Sequence, residues 1–276
     1  MARFVPKQAL PLEAKYYAEI LGDGTQDVAN QIVSYISPLP EGTVLHDNAC
    51  GQGIASKAIM AQSPKSISIH ATDIWAKMVE ATKAVASQNS WPIECATMAS
   101  EDLTFEDNFF THTVMNFGIH MVKSSAAAAS EIYRTLKPGG TAIFTVWADT
   151  ILIDAVNSGH ERTRSAGTPP PTGVTKHWMG VNQVSQVLEQ AGFDHKNIRH
   201  ETAATSIEVQ DSRRWAQIVW SFMGALDSGW EKEDETRWEE AVDTVQKVLE
   251  TWDGFKKHEE GDGKLTMTAN VVIVTK

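Results

Sequence analysis

The sequence predicts an α/β fold, a Rossmann-like sheet with helices on both faces. Short β-type runs alternate with helical segments from residue 43 to residue 147. Such alternation is typical of a parallel sheet, because each parallel connection needs a crossover and a helix supplies it. With 276 residues, of which 42% are hydrophobic, the chain has enough apolar material for a large core.

The elements follow from apolar spacing and from the turn residues between them. Helices are predicted where apolar residues recur every three or four positions, and strands where short β-branched runs end in Gly, Pro or Asp. Helices are thus predicted over 12–21, 26–36, 55–60, 78–85, 124–136, 181–191, 212–226 and 231–252. Strands are predicted over 43–47, 66–72, 93–97, 110–117, 141–147, 198–209 and 265–274, and a loop over 168–173.

We interpret the chain as one domain over 1–276 with an inserted helical region. Its parts are an N-terminal helical lid (1–40), a cofactor-binding core (41–150), and substrate-side insertions with a C-terminal strand pair (151–276). The acidic run from Trp230 to Glu235 is interpreted as a solvated helix start, where carboxylates favour the helix dipole.

The net charge bears on the class of partner. Acidic residues outnumber basic ones by 35 to 24, so the surface repels nucleic-acid phosphate and anionic lipid. The pairs Arg162–Arg164 and Arg213–Arg214 leave a local basic patch open. The two cysteines are too few for a disulfide framework, and no apolar run approaches the roughly 20 residues that span a bilayer. We expect a cytoplasmic protein with no nucleic acid, membrane, obligate protein partner or metal.

The sharpest local feature is a glycine loop between the first strand and the next helix. It runs from Asp47 to Gly53 as Asp-Asn-Ala-Cys-Gly-Gln-Gly, and glycine lets a ligand approach where a Cβ would block it. Asp73 lies 20 residues beyond Gly53, at the end of the next strand, where a carboxylate can accept the hydroxyl hydrogens of a ribose. A tight turn without a ligand is the structural alternative.

Two phosphate-binding interpretations fit this loop poorly. A P-loop needs Gly-Lys-Ser/Thr, which is missing, and the third glycine of a dinucleotide fingerprint is replaced by Ser56. Asp47 would repel a pyrophosphate, whereas a ligand that carries an ammonium or a sulfonium would tolerate it.

The loop and three later motifs resemble the class I S-adenosylmethionine-dependent methyltransferases. The first motif is Val-Leu-His-Asp-Asn-Ala-Cys-Gly-Gln-Gly at 44–53, and the second is Ala-Thr-Asp at 71–73 with Met78. The third is Ser-Glu-Asp-Leu-Thr-Phe-Glu-Asp-Asn-Phe at 100–109, and the fourth is Glu-Ile-Tyr-Arg-Thr-Leu-Lys-Pro-Gly-Gly at 131–140. The resemblance covers about residues 40–150 and implies a seven-stranded sheet whose last strand pair is antiparallel.

The resemblance also implies which residues bind S-adenosylmethionine and its product S-adenosylhomocysteine. Gly51 and Gly53 would pass under the methionine part, Asp73 would hold the ribose, and Met78 would pack on adenine. The full set of implied cofactor residues is Asp47, Ala49, Gly51, Gly53, Asp73, Ile74, Met78, Ala99, Ser100 and Asn116. Many relatives carry an acid where this chain has Ala99, so adenine recognition there would use backbone groups or Ser100.

Methyl transfer needs collinear positioning and a dry site more than a reactive side chain. His120 is the first candidate base, because it follows the fourth strand at the expected active edge; a structural hydrogen bond is its alternative role. His177, after the proline loop, is a second candidate base. Cys50 is interpreted as a small loop residue and not as a nucleophile. Candidates for contact with the acceptor, each with core packing as the alternative, are Tyr16, Tyr17, Trp147, His177, Trp178, Phe222 and Met223.

The acceptor class is expected to be a small molecule. The chain resembles fungal secondary-metabolite methyltransferases, and among them the thiol S-methyltransferases of reduced epidithiodiketopiperazines such as gliotoxin. An oxygen or nitrogen acceptor on another metabolite is the first alternative. A non-methylating, cofactor-assisted enzyme and a binding protein with a degenerate site are the others.

Overall fold

A computed structural model describes residues 4–11, 14–62, 66–149, 151–171, 176–225, 229–258 and 262–276. Its strands are β1 (Val44–Asn48), β2 (Ser68–Asp73), β3 (Ile93–Thr97), β4 (Phe110–Asn116), β5 (Leu136–Trp147), β6 (Ile198–Val209), β7 (Phe255–Lys257) and β8 (Gly263–Thr275). They form one sheet in the order β3-β2-β1-β4-β5-β8-β6, and β7 pairs with β8. Strands β1 to β5 pair in parallel and β8 is antiparallel to β5.

The strand order reverses direction between β1 and β4. From β1 the chain moves outward to β2 and β3, and it then returns to the other side of β1 with β4. In open α/β sheets such a switch point leaves a crevice at the carboxyl ends of the strands, and ligands bind there. A ligand site is therefore expected at the turns that follow β1, β2 and β4.

Ten α-helices lie in the described part of the chain. They are α1 (Ala14–Leu21), α2 (Gly24–Val33), α3 (Ile54–Gln62), α4 (Ala76–Gln88), α5 (Ser125–Thr135), α6 (Ile151–Thr163), α7 (Val181–Gln190), α8 (Ser212–Met223), α9 (Lys232–Thr236) and α10 (Trp238–Glu250). Short 3-10 turns lie at Lys176–Met179 and His195–Asn197.

Two apolar clusters show that helices cover both faces of the sheet. One joins α2 and α3 to the sheet, with Ile32 and Ile59 packed near Leu45. The other joins α5 and α7 to the sheet, with Ile132 and Leu188 among its fully buried side chains. The predicted α/β class, with helices on both faces, is confirmed.

The chain divides into two compact units. The sheet unit comprises Thr25–Ala148, His177–Ala203 and Thr268–Lys276, and the helical unit comprises Met1–Gly24, Asp149–Lys176 and Ala204–Met267. The division falls within β6 and within β8. That the whole chain folds as one domain stays a prediction.

The helical unit is built around α6, α8 and α10. Trp220 and Trp238 are its largest fully buried side chains. A Cβ on Gly159 would lie 3.1 Å from the Trp220 ring, so this glycine allows α6 to approach α8 closely. Arg164 and Asp234 form an ion pair at 2.7 Å with no exposed side-chain surface.

Four expectations for the helical unit need correction. Helix α6 was not predicted, and the helix expected over 231–252 is broken at Arg237 into α9 and α10. The acidic run is not solvated throughout, because Asp234 is buried against Arg164. The two arginine pairs form no free basic patch, since Arg162 bonds Glu240, Arg213 bonds Glu239 and Asp243, and Arg214 bonds Glu19.

The remaining differences concern element ends. Strand β5 begins at Leu136, five residues before the predicted start, and β8 begins at Gly263. The short β7 adds an eighth strand to the seven that the resemblance implied. Of the predicted proline loop, residues 168–171 are irregular, and its last two residues lie outside the described part.

Candidate functional site

The turn after β1 has the backbone form that the glycine motif predicts. Ala49, Gly51 and Gly53 all have positive φ angles, of 55°, 53° and 75°. A Cβ placed on Gly51 would have no atom within 4 Å, so open space lies above this residue. A Cβ on Gly53 would lie 2.8 Å from Thr82, so Gly53 serves the packing of the loop on α4. The proposed contact of Gly53 with a cofactor stays a prediction.

Asp47 anchors the helix that follows the loop. Its Oδ2 accepts hydrogen bonds from the backbone N–H of Ser56, at 2.9 Å, and from the Ser56 hydroxyl, at 2.6 Å. Ser56 lies in the first turn of α3, where backbone N–H groups have no partner within the helix. Burial raises the pKa of Asp47 to about 6, against the lowering effect of the two Ser56 bonds. Asp47 therefore fixes the start of α3, and its contact with a cofactor stays a prediction.

Asp73, at the end of β2, ties the glycine loop to the next helix. Its Oδ2 accepts from the Gly51 N–H and its Oδ1 from the Trp75 N–H, both at 2.9 Å. A carboxylate offers about four acceptor positions, so each oxygen keeps capacity for one more donor. Asp73 is 8% exposed. The same side chain can thus shape the loop and still receive ribose hydroxyls.

Large apolar side chains stand in solvent next to this carboxylate. Ile74 is 64% exposed, Trp75 71% and Met78 37%. Single exposed apolar residues are common, but three around one turn mark a surface that a flat apolar ligand can cover. Met78 was implied as an adenine contact and Ile74 as a cofactor contact, and both lie within five residues of Asp73.

The segment that follows β3 lies against the same turn. The Met98 N–H donates to the Asp73 carbonyl at 3.0 Å. Ala99 is half-buried, whereas Ser100 is buried and its hydroxyl donates to Asn48 Oδ1 at 2.6 Å. Arg134 of α5 holds the segment further along, because its guanidinium donates to the carbonyls of Leu103 and Phe105 at 2.8 Å.

The end of β4 carries an amide and a strained aromatic residue. The Asn116 Oδ1 accepts from the Thr145 hydroxyl at 2.8 Å, which orients the amide. Phe117 has a φ of 55°, and its ring stacks on Trp147 with centroids 4.3 Å apart. Positive φ at a bulky residue is uncommon and clusters at functional sites.

His120 lies in the turn after β4. Burial lowers its pKa to about 4, so the imidazole is neutral at pH 7. Its Nδ1 is buried without a hydrogen-bond partner, and its ring centroid lies 6.4 Å from that of Trp178. Trp147 packs against the α2–α3 cluster and Trp178 against the α5–α7 cluster. The structure therefore does not bring Trp147 and Trp178 into one cluster.

The other candidates for acceptor contact belong to the helical unit or lie outside the described atoms. Tyr16 and Phe222 meet edge to face, with ring centroids 6.2 Å apart, and Met223 is half-buried at the end of α8. The side chains of Tyr17 and His177 lie outside the described part. The roles of all seven candidates in acceptor binding stay predictions.

Two reactive groups in the sheet unit are unsuited to nucleophilic catalysis. Burial raises the pKa of the Cys50 thiol well above its usual range, and the same effect raises that of Cys95. A thiol with a raised pKa is a poor nucleophile at neutral pH. Among the described residues, no group of three or more His, Cys, Asp or Glu side chains is placed to hold a metal ion.

Sequence reasoning missed the hydrogen bonds that Asn48 and Arg134 make to the segment after β3. Asn48 is an amide at a strand end that is fully buried, and Arg134 lies in the fourth motif, 29 residues from the Phe105 carbonyl that it binds. Asn48 is a polar residue within a buried strand of the glycine motif, and this pattern indicates a buried hydrogen-bond partner. Nothing local to Arg134 indicated its long-range partner.

A nucleoside with a sulfonium tail fits this set of residues. Asp73 has acceptor capacity for two ribose hydroxyls, Ile74 and Met78 offer apolar surface for a base, and the space above Gly51 leaves room for a tail. No cation of the described residues bonds Asp47 or Asp73, so the local charge is negative and suits a cationic ligand.

Comparison with known proteins agrees with this fit. Residues 46–144 match the family model described as a methyltransferase domain. Methyltransferase tpcH of Aspergillus fumigatus is 26% identical over 209 residues, which is 72% of this chain and 73% of that protein. The ubiquinone/menaquinone biosynthesis C-methyltransferase UbiE of Geotalea daltonii is 35% identical over 113 residues, or 40% of this chain and 48% of that protein.

A solved structure supports the same fold. The YcgJ protein from Bacillus subtilis is 14% identical, covers 90% of this chain and 97% of its own, and superposes with a TM-score of 0.58. The chain is an S-adenosylmethionine-dependent methyltransferase with the class I α/β fold. Among the described residues, no helix is long and apolar enough to cross a membrane.

Proposed function

We propose that this enzyme transfers the methyl group of S-adenosylmethionine to a free thiol of a small secondary metabolite. A reduced epidithiodiketopiperazine such as the gliotoxin dithiol is the acceptor we favour. A thiol acceptor calls for a reducing compartment such as the cytoplasm, and the proposal includes no nucleic-acid, membrane or obligate protein partner.

The observation that carries the thiol proposal is the low pKa of the His120 imidazole. Burial holds its pKa at about 4, so it is a weak base at neutral pH. A hydroxyl acceptor must lose its proton to a base whose pKa is matched to the task. A thiol has a pKa of about 8.5 and is already a few per cent thiolate at pH 7, so it needs the least help.

The residues of the site then have positioning roles. The bound cofactor supplies an activated methyl group on a sulfonium. Asp73 would hold the ribose, while the Gly51 backbone leaves space for the tail. Neutral His120 would donate or accept one hydrogen bond near the acceptor. It would not take up the proton that the acceptor loses. The stacked pair Phe117–Trp147 supplies an apolar wall at the ends of β4 and β5.

One comparison favours a second candidate. The relative UbiE is named a C-methyltransferase, so a carbon acceptor on an electron-rich ring is the alternative we retain. A flat ring would suit the Phe117–Trp147 wall. Oxygen and nitrogen acceptors, and a cofactor-assisted reaction without transfer, remain alternatives that the same experiment separates.

The test is a labelled-methyl assay on matched acceptors. The purified chain would be incubated with methyl-labelled S-adenosylmethionine and a reduced dithiol, a phenol, a hydroquinone or an amine. We expect S-methyl product and one S-adenosylhomocysteine for each methyl transferred, with a rate that rises with pH as the thiol ionises. Label on oxygen, nitrogen or carbon alone would contradict the thiol proposal. An acceptor changed without any S-adenosylhomocysteine would instead show a non-methylating reaction.

A further inference from the structure

Thr145 is a buried threonine whose hydroxyl bonds two successive residues at the end of β4. It lies near the carboxyl end of β5 and is 1% exposed. Its Oγ1 accepts from the Phe117 N–H and donates to the Asn116 Oδ1, both at 2.8 Å. A backbone N–H can only donate, and the hydroxyl has a single proton, so that proton must point to Asn116. The network therefore has one direction, from Phe117 through Thr145 to Asn116.

This direction fixes the orientation of the Asn116 amide. The oxygen and nitrogen of an amide have nearly the same shape, so the hydrogen-bond network decides which atom faces which partner. Because Thr145 donates, the atom that faces it is Oδ1, and Nδ2 faces away from it. One N–H of Nδ2 donates to the Thr25 carbonyl at 3.5 Å, and the other has no partner among the described residues. Asn116 is half-buried, so its side chain is not enclosed by protein.

The strand register places Asn116 on the face of the sheet that carries the two carboxylates of the site. Asp47 is paired with Val114, and residues two apart in a strand point to the same face. Asn116, two residues after Val114, therefore shares the face of Asp47. Asp47 is also paired with Ala71, which lies two residues before Asp73. The carboxylates of Asp47 and Asp73 and the amide of Asn116 thus lie on one face, at the carboxyl ends of three neighbouring strands.

The order of the strands indicates which part of the cofactor reaches Asn116. Strand β1 lies between β2 and β4, so the open space above Gly51 separates Asp73 from Asn116. A nucleoside carries its base and its 5′ tail on opposite sides of the ribose. With the ribose on Asp73 and the base on Ile74 and Met78, the tail extends across β1 toward β4. The carboxylate of this tail only accepts hydrogen bonds, and an amide N–H is a suitable donor for it.

We propose that Thr145 is a positioning residue that aims the Asn116 N–H at the carboxylate of the cofactor's amino-acid tail. The same hydroxyl holds Phe117 at its φ of 55°, the conformation in which the ring stacks on Trp147. Thr145 does not touch the ligand and acts through these two neighbours. Thr145→Val would keep the shape of the side chain but leave the Asn116 amide free to rotate. The inference rests on the cofactor assignment and is independent of the thiol proposal.

Calorimetry with two ligands separates the aiming of the amide from general support of the site. S-adenosylhomocysteine and 5′-methylthioadenosine share the purine, the ribose and the sulfur, but only the first carries the amino-acid tail. We expect Thr145→Val to bind S-adenosylhomocysteine about fivefold or more weakly than the wild type, and 5′-methylthioadenosine within about twofold of it. Thr145→Ser keeps the hydroxyl and should restore the affinity for S-adenosylhomocysteine. A role in stability alone would weaken both ligands together.

Two further variants complete the test. Thr135→Val is the matched control, because Thr135 is also buried and its hydroxyl donates to the Glu131 carbonyl at 2.8 Å. It directly precedes β5, at the opposite end of the strand from Thr145, so both affinities should stay unchanged. Asn116→Ala keeps the bond between Thr145 and Phe117 and should lose the same tail-dependent affinity. Adding Thr145→Val to Asn116→Ala should cause no further loss, because the two residues act as one unit.

The inference is overturned if Thr145→Val weakens both ligands equally or weakens neither, or if Thr145→Ser does not restore binding. A tail-dependent loss in Thr135→Val would also overturn it. Wild-type affinities in Asn116→Ala would overturn it even where the Thr145→Val protein does not fold. Each of these results leaves the cofactor assignment intact, whereas failure of the wild type to bind S-adenosylhomocysteine would overturn both.

Discussion

The sheet unit and the helical unit use buried carboxylates in different ways. Asp234 of the helical unit is charge-paired and has no exposed side-chain surface, and it accepts two bonds from the Arg164 guanidinium and one from the Glu231 N–H. Asp73 of the sheet unit accepts only two backbone N–H groups. A charge-paired carboxylate without exposed surface is not accessible to a ligand. A carboxylate that is bonded to backbone and keeps acceptor capacity is suited to recognition.

The two units also differ in how their parts are distributed along the sequence. The site in the sheet unit consists of turns that directly follow single strands, and the family match over 46–144 lies wholly within that unit. Both units comprise three separated segments, but the core of the helical unit joins α6 to α8 and α10, which lie in different segments. Local sequence patterns can therefore indicate the site in the sheet unit, whereas the packing of the helical unit depends on contacts between residues that are distant in sequence.

The largest effect is expected from breaking the buried pair of the helical unit. Asp234→Ala leaves the Arg164 charge buried without its partner, which should lower the free energy of unfolding by about 3–5 kcal/mol. Urea denaturation measures this change. Asp243→Ala is the matched control, because its exposed pairing with Arg213 should contribute about 0–1 kcal/mol. Equal effects of the two substitutions would contradict the contrast between buried and exposed pairs.

The next largest effect is expected from removing Asp73, the carboxylate with unused acceptor capacity. Asp73→Ala removes charge-assisted bonds to the ribose, each worth about 1.5–3 kcal/mol, so affinity for S-adenosylhomocysteine should fall at least about tenfold. The variant also loses the bonds to Gly51 and Trp75, so its denaturation midpoint must be measured beside its affinity. Unchanged affinity in a folded Asp73→Ala protein would remove Asp73 from the site.

Alanine substitution at Gly51 should have a smaller effect. A comparison with Gly42 separates the loss of ligand space from the cost of backbone strain. Gly51 and Gly42 both have positive φ and open space where a Cβ would stand. Alanine at either position should cost about 1–2 kcal/mol of stability. Only Gly51→Ala should also weaken cofactor binding, by about tenfold, because its methyl group enters the ligand space. Equal affinities of the two variants, measured by calorimetry, would place the ligand elsewhere.

The smallest effect concerns pH and arises in the sheet unit. Burial lowers the pKa of His46 to about 3 and of His120 to about 4, and it raises the pKa of Asp47 to about 6. Between pH 6 and pH 4 the imidazoles of His46 and His120 bind two protons in the unfolded chain that they do not bind in the folded chain, while folded Asp47 binds one extra proton. These three groups together should lower the free energy of unfolding on acidification by about 1.4 kcal/mol per pH unit, and the lowered pKa values of His70 and His112 add to this fall.

A substitution of His120 measures how much this residue contributes to the pH dependence. His120→Gln removes one of these imidazole protons, so the slope between pH 6 and pH 4 should decrease by about 1 kcal/mol per pH unit. Urea denaturation at several pH values gives the slopes of the wild type and the variant. A wild-type slope in the His120→Gln protein would contradict the low pKa of this imidazole.

The sequence predicted the sheet unit well because its signals are local. The glycine loop, Asp73 and the fourth motif each lie within a few residues of a strand end, so strand order alone brings them to one edge. The hydrogen bond of Asn48 was missed because its partner, Ser100, is 52 residues away. The pairing of Asp234 with Arg164 was missed for the same reason, at a separation of 70 residues.

Helix α6 was missed for a different reason. Eight of its 13 residues are buried, so it lacks the regular polar face that marks an amphipathic helix. Ile151 and Ile153 favour a strand, and Gly159 lowers the intrinsic helix preference. That glycine is needed for contact with Trp220, a partner that only the tertiary structure supplies.

The most direct test of the account is a crystal structure of the chain with S-adenosylhomocysteine. The account predicts ribose hydroxyls on both Asp73 oxygens, the base over Ile74 and Met78, and the tail in the space above Gly51. Ligand density away from the turns after β1 and β2, with Asp73 bonded only to Gly51 and Trp75, would contradict it.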